Sequence, residues 1–307
     1  MRRAPVPPAR PVHPVTSGLV VVDKAAGWTS HDVVARVRRI ARTRRVGHAG
    51  TLDPMATGVL VLGIERGTKL LGHLALTTKG YDATIRLGRT TVTDDADGEV
   101  TGGSSAAAVD EAAVRAGLAE LTGEIEQVPS AVSAIKIDGR RAYARVRAGE
   151  DVALAARRVA VFRLELLAVR RPEPDVLDLD VTVDCSSGTY VRALARDLGA
   201  ARGTGGHLTA LRRTRVGPFT LADARTLEEL AASADAVTVP LDAAVAAAFP
   251  RRELDAAEAG RLAHGGRLDP VGLPGPYGAF DADGRAVALV EERDGTARPL
   301  VVLRPAD

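Results

Sequence analysis

Apolar and polar residues alternate most regularly over Leu177–Cys185. Leu177, Leu179, Val181, Val183 and Cys185 fall on one face, and Asp178, Asp180, Thr182 and Asp184 fall on the other. A period of two predicts a half-buried strand. Tyr81 to Leu87 repeats the pattern, with Tyr81, Ala83, Ile85 and Leu87 against Asp82, Thr84 and Arg86. Continuous apolar runs at Gly18–Asp23, Val59–Leu62 and Val161–Val169 predict further strands. Helical spacing replaces alternation at Val33, Val34, Val37 and Ile40, where Ser30 is the expected N-cap. Ala106–Leu121 predicts an alanine-rich helix, and Tyr190–Leu198 a helix stopped by Gly199. Gly203–Phe219 predicts a glycine- and arginine-rich loop with a short strand, and Gln127–Gly149 a basic loop or short strand leading into a helix.

A second unit is expected from about Pro250. It has a short helix with Leu254 and Leu262, then strands near Tyr277–Phe280, Ala286–Glu291 and Pro299–Leu303. Asp283-Gly284 and Asp294-Gly295 turns separate them. Residues 1–16, rich in Pro and Arg, predict a disordered tail. No internal repeat is present.

The segment that interrupts these elements with chemistry is Gly47-His48-Ala-Gly-Thr-Leu-Asp53-Pro54-Met-Ala-Thr-Gly58. Pro54 pushes Asp53 into an extended conformation, and the glycines allow tight turning or close approach to a ligand. The spacing alone leaves this open between a positioned acid and an incidental Asp-Pro turn. Asp53 is the best single nucleophile or base in the chain. Arg192, after a strand and a tight turn, is the candidate partner for a bidentate pair, against the alternative of a surface arginine. His48 is either a base-stacking residue or a structural histidine. Aromatic residues are only 3% of the chain, so Tyr81 and Tyr190 gain weight as stacking platforms for nucleotides.

Composition removes several classes. No run reaches the roughly 18 to 20 apolar residues that span a bilayer, and Met1–Pro14 has no apolar segment of a secretory signal. The single Cys185 forms no internal disulfide and sits where core is expected, without a catalytic-cysteine context. A cytoplasmic protein is therefore expected. No Walker loop, dinucleotide fingerprint or nucleophile elbow is present. Thr91–Gly98 is acidic, but a calcium loop starting at Thr93 would need a glutamate where Ser104 stands, which rejects calcium. Net charge is +2, yet residues 1–45 hold ten Lys/Arg against Asp23 and Asp32, a local +8. Residues 91–126 hold nine acids against Arg115, a local −8. The basic block runs straight into the glycine-rich loop, which suits contact with nucleic acid.

Several blocks together carry a resemblance. Gly47–Gly58 resembles the signature loop of the TruB-type tRNA pseudouridine synthases. Gly18–Asp23 with Lys24 and Gly27-Trp28-Thr-Ser30, Lys79-Gly80-Tyr81, Arg86–Gly98, Cys185–Gly199 and Leu211–Phe219 resemble that family's other blocks in the same order. The resemblance covers about residues 18–245, and the C-terminal unit is similar to a PUA-like RNA-binding module. It implies an α+β pseudouridine synthase fold: a central mixed, mostly antiparallel sheet flanked by helices in residues 17–248, and a small β-rich PUA-like domain in 249–307. It implies isomerisation of uridine-55 in the T-loop of tRNA, by a monomer, with no cofactor and no metal. By resemblance Asp53 is the catalytic aspartate, Arg192 its partner, and Tyr81 stacks on the target base and serves proton loss at C5. Tyr190 and Leu211 line the pocket, His48 holds rearranged loop nucleotides, and Lys24 and Asp95 join the substrate contacts. Phosphate contacts imply salt-sensitive binding. Gln127–Ala134 departs from the family at Val132, where an aromatic is usual, which puts stacking there in doubt. Two other readings fit the same residues: an RNA-binding or tRNA-folding chaperone, and the catalytic subunit of a guide-RNA-dependent particle. The compact length and the lack of a long lysine-rich tail favour a stand-alone enzyme.

Overall fold

The two alternating segments are adjacent strands of one large sheet. In this computed structural model, residues 16–130, 136–137, 140–141 and 154–306 are described. The strands that position the site are β1 (Gly18–Lys24), β2 (Val46–His48), β3 (Thr57–Ile64), β4 (Lys79–Leu87), β5 (Gly123–Gln127), β6 (Arg157–Glu173), β7 (Val176–Cys185) and β8 (Gly206–Val216). The helices are α1 (Ser30–Ala41), α2 (Glu111–Glu120), α3 (Val191–Ala201) and α4 (Leu227–Ala232). The sheet runs β1-β3-β8-β4-β7-β6-β5, with β2 also paired to β3. Its neighbours are antiparallel except at the β3–β8 seam, where Thr57 and Gly58 run parallel to Arg212 and Arg213. This is the mixed, mostly antiparallel α+β arrangement expected.

Alternation explains the packing. Leu179, Val181 and Val183 face Ile85, Ala83 and Tyr81 across the β7–β4 register, and all six enter one core together with α1, α2 and α3. The opposite face carries paired charges: Arg86 binds Asp178 at 2.7 and 2.8 Å, and Thr84 and Arg170 bind Asp180. β1 and β3 have no polar face because both faces are covered. Val20 and Val22 enter the first core, and Leu19 and Val21 enter a second one with Phe280 and Leu289 of the C-terminal strands and Leu303 just after the last of them. Those strands (Arg251–Glu253, Tyr277–Phe280, Ala286–Arg293, Thr296–Val302) form their own sheet. Asp294 and Gly295 both take positive φ at the expected hairpin turn.

Three expectations are corrected. Gly203–Phe219 is chiefly an eleven-residue strand, β8, in the middle of the sheet rather than a loop. Its arginines are neutralised internally: Arg212 binds Asp23 at 2.7 and 3.0 Å and Arg215 binds Asp184 at 2.7 Å. Gly199 does not stop its helix, which continues to Ala201. A Cβ there would lie 2.2 Å from the Gly205 carbonyl carbon, so this glycine permits close approach of α3 to β8. Thr29, not Ser30, caps α1, in a capping box with Asp32. Residues 1–15 of the expected tail lie outside the described residues. So do most of the expected basic loop and Val132.

Candidate active site

The loop between β2 and β3 is fixed from three directions. The buried Ser30 hydroxyl, at the start of α1, receives the Leu52 amide at 2.9 Å and donates to the Leu52 carbonyl at 3.1 Å. The Gly27 amide donates to the Pro54 carbonyl at 2.8 Å. Lys24 Nζ, fully buried, donates to Pro54 O, Trp28 O and Ala25 O at 2.8–3.1 Å. Gly58 closes the loop at φ +98°, where a Cβ would stand 2.2 Å from the Arg213 carbonyl oxygen, so only glycine fits the parallel seam. Arg213 itself is 1% exposed and donates to the carbonyls of Val59, Thr51 and Gly50 at 2.7–3.3 Å. The donors of Ser30, Lys24 and Arg213 are therefore spent on the shape of the loop.

The Asp53 side chain takes no part in these loop contacts. Its carboxylate keeps about a third of its surface exposed, at 32%. Arg192, in the first turn of α3 and 5% exposed, approaches it in bidentate fashion: Nε lies 3.0 Å from Oδ2, and Nη2 donates to Oδ1 at 3.2 Å. The same guanidinium donates to the Thr93 carbonyl at 2.8 Å and lies 3.4 Å from the Asp95 carboxylate. Asp95 is buried and receives the Thr93 hydroxyl and the Asp97 amide. One arginine thus joins the signature loop to the acidic loop. The acidic loop is in turn tied to β8 by the Leu208 amide on the Asp94 carbonyl. Pairing of this kind favours the ionised carboxylate and fixes its direction.

Asp53 opens onto a cavity of about 310 Å³ lined by Tyr81, Tyr190, Leu211, Arg192, Lys79 and Arg213 among others. Tyr81 lies across its buried wall. Burial raises the Tyr81 phenol above its ordinary range, and the adjacent Arg213 guanidinium opposes that rise. Burial, aided by Arg213, lowers Lys79 to about 8, and its Nζ donates to the carbonyls of Ala75 and Thr77. Burial raises the Cys185 thiol to about 11, which suits a core residue rather than a nucleophile.

Lys79 makes a measurable prediction. Its folded value lies below the unfolded 10.5, so the unfolded chain holds more protons between about pH 8 and 10.5. The lysine penalises the fold most below pH 8, and the penalty fades as pH rises through that window. In urea unfolding, the wild type is expected to gain stability relative to Lys79→Met between about pH 7.5 and pH 10. A gap that stays constant or moves the other way contradicts it.

The structure brings Asp53, Arg192, Tyr81, Tyr190 and Leu211 into one cleft, and leaves three other expected site residues out of its lining. Lys24, expected among the substrate contacts, is fully buried and gives its donors to three carbonyls of the loop and turn. Asp95 is likewise buried behind Arg192 rather than open to a substrate. His48 ends β2 opposite Leu62, half-buried, with its ring edge-on to His31 at 5.6 Å. Sequence reasoning missed Arg213, Lys79 and Gln127. Arg213 lies two residues from Leu211, a strand-period signal hidden by reading the segment as loop. Gln127 is buried and clamps the Tyr190 backbone, accepting from its amide at 2.8 Å and donating to its carbonyl at 3.2 Å. Nothing local marks it. Among the described residues no group of His, Cys, Asp and Glu is arranged to hold a metal. No helix there is long and apolar enough to cross a membrane.

Solved structures share this architecture. A solved Cbf5-Nop10-Gar1 complex contains a chain that is 26% identical. The match has a TM-score of 0.73 and covers 95% of this chain and 86% of that one. A chain of the archaeal box H/ACA sRNP Nop10-Cbf5 complex matches at 26% identity and a TM-score of 0.70, over 95% and 88% of the two chains. The fold is that of the pseudouridine synthases. Residues 38–191 match the TruB family pseudouridylate synthase N-terminal domain, 192–246 the tRNA pseudouridylate synthase B C-terminal domain, and 249–304 the C-terminal domain of tRNA pseudouridine synthase II. A protein of Nocardia farcinica called tRNA pseudouridine synthase B is 64% identical over 298 residues, 97% of this chain and 96% of its own length. Its namesake in Thermobifida fusca is 60% identical over 291 residues, 94% and 99% of the two. The chain belongs to the TruB family of pseudouridylate synthases.

Proposed function

We propose that this chain converts uridine-55 in the T-loop of tRNA to pseudouridine, as a cytoplasmic monomer, with Asp53 as nucleophile. Relatives named tRNA pseudouridine synthase B over nearly the whole chain support modification of tRNA. The single observation that carries the residue assignment is the part-exposed Asp53 carboxylate, held by a buried arginine at the mouth of a cavity of about 310 Å³. In the reaction the C1′–N1 bond breaks, the base turns, a C1′–C5 bond forms, and the C5 proton leaves as N1 gains one. Nothing is added or oxidised, so the protein must supply position, a carboxylate and a path for one proton.

The uridine must leave its stack to reach Asp53, which costs a few kcal/mol. Tyr81 stacks on the extruded base, and Tyr190 and Leu211 enclose it. Attack at C1′, addition at C6 and a glycal route all use a carboxylate beside the sugar–base bond, which is what Asp53 provides. Tyr81 serves the loss of the C5 proton, and the guanidinium of Arg213 stabilises any charge that develops on its phenol. His48 holds the rearranged loop nucleotides, and the C-terminal sheet, as a PUA-like module, adds phosphate contacts.

The purified chain, given an unmodified T-arm stem-loop and no other RNA or protein, is expected to convert its uridine-55 to completion. Mass analysis of nuclease fragments reads the result. No conversion, or conversion only after a guide RNA is added, overturns the proposal.

A further inference from the structure

A cavity larger than the one at Asp53 lies between α1 and α4. It measures about 560 Å³ and is lined by Trp28, Arg36, Arg39, Ala35, Leu227 and Glu228 among others. Its volume falls in the roughly 300–1,000 Å³ range of small-ligand sites. We propose that it takes a second unpaired nucleotide of the substrate RNA, with the base stacked on the Trp28 indole and the phosphate held by Arg36 and Arg39. The inference rests on the proposed RNA substrate but not on the identity of the nucleophile.

Three observations carry it. First, Trp28 is the only tryptophan of the chain and is 37% exposed at the cavity wall, although large aromatic rings are ordinarily well buried. An open indole face beside a concave surface is a stacking platform for a base. Second, Arg36 and Arg39 stand one turn apart on the exposed face of α1, and among the described residues neither makes an ion pair or a hydrogen bond. Other surface arginines nearby are committed, such as Arg38 to the Val46 carbonyl and Arg212 to Asp23. Of the two acids at the cavity, Asp32 is already occupied in the α1 cap, where Thr29 gives it an amide at 3.0 Å and a hydroxyl at 2.6 Å. Glu228, from the opposing helix, offers an acceptor to an exocyclic amine of the base. Third, the cavity is tied to the catalytic loop. Gly27 N donates to Pro54 O, and Lys24 Nζ bonds both Trp28 O and Pro54 O, so the Trp28 turn and the Asp53 loop form one unit. An RNA opened to deliver one base to Asp53 has unstacked neighbours in need of a platform, and this one stands at a fixed spacing.

Because Trp28 is the only tryptophan, its fluorescence reports on this cavity alone. The full-length Asp53→Asn protein is titrated with the unmodified T-arm stem-loop, and binding is followed in parallel by the anisotropy of a labelled RNA. On saturation, Trp28 emission should fall about two-fold or more and its quenching by acrylamide should drop several-fold, because a stacked base shields the ring. In the active chain, Trp28→Ala should raise KM about ten-fold while Trp28→Phe stays near the wild type, a rescue that loss of mere bulk would not give. Arg36→Ala with Arg39→Ala should lower the slope of log affinity against log salt by about 0.7, the share of the one phosphate they hold. RNA that binds by anisotropy while Trp28 emission, acrylamide access and the salt slope stay unchanged overturns this site and leaves the assignment of Asp53 untouched. RNA that does not bind at all overturns this site together with the proposed RNA substrate.

Discussion

Asp53→Asn is expected to lower pseudouridine formation by on the order of 10⁴-fold or more while RNA affinity stays within a few-fold. The two side chains have the same shape. The asparagine oxygen can accept from Arg192 Nη2, 3.2 Å from Oδ1, while its amide nitrogen loses the contact with Nε, and Ser30, Lys24 and Arg213 keep the loop in form. What disappears is the negative oxygen that the proposed mechanism uses on the sugar or base, and no second carboxylate replaces it. Asp95, on the same arginine, is 4% exposed and stands outside the cavity lining. Single-turnover conversion with enzyme in excess reads the chemical step, and anisotropy with labelled stem-loop reads binding. A variant that still modifies at near the wild-type rate removes Asp53 from the chemistry.

Arg192→Met is expected to damage both stability and rate. Its guanidinium is shared between Asp53, Asp95 and the Thr93 carbonyl, and it is 5% exposed. Removing it leaves the buried Asp95 carboxylate without its counter-charge, which for buried pairs costs about 3 to 5 kcal/mol. It also releases the aim of Asp53, so a loss of about 10²-fold or more in the single-turnover rate is expected. Lysine is no substitute, because a point charge cannot fork between two carboxylates and a carbonyl. Adding Asp95→Asn to Arg192→Met should recover part of the stability and none of the rate. Urea unfolding beside the single-turnover assay checks both. A stable, active Arg192→Met protein contradicts the network.

The strands that were legible in sequence are those where one face is wet or both are dry. β7 and β4 alternate because their second face carries charges, and β1 and β3 read as apolar runs because two cores cover them. β8 was not legible. Arg212, Arg213 and Arg215 look like a solvated stretch until their partners are known, and Asp23, Val59 and Asp184 are distant in sequence. Gly199 misled for a related reason, since a glycine that admits a neighbouring backbone and one that ends a helix look the same in one dimension. The candidate site divides in the same way. Asp53 was visible through Pro54 and the flanking glycines. Its pairing with Arg192 spans 139 positions: the place of Arg192 after a strand and a tight turn makes it a candidate, and only the resemblance favours it over a surface arginine. Lys24 and Asp95 stand beside the loop as buried residues, and no linear pattern discloses that burial.

On the proposed mechanism a uridine turned out of the T-loop meets Asp53. A crystal structure of the full-length Asp53→Asn protein bound to an unmodified T-arm stem-loop shows where that base goes. The target base is expected stacked on Tyr81 between Tyr190 and Leu211, with its C1′ or C6 about 3 to 3.5 Å from the amide that replaces the Asp53 carboxylate. A target uridine that stays stacked in its loop, or that is turned out into another part of the protein, would contradict it.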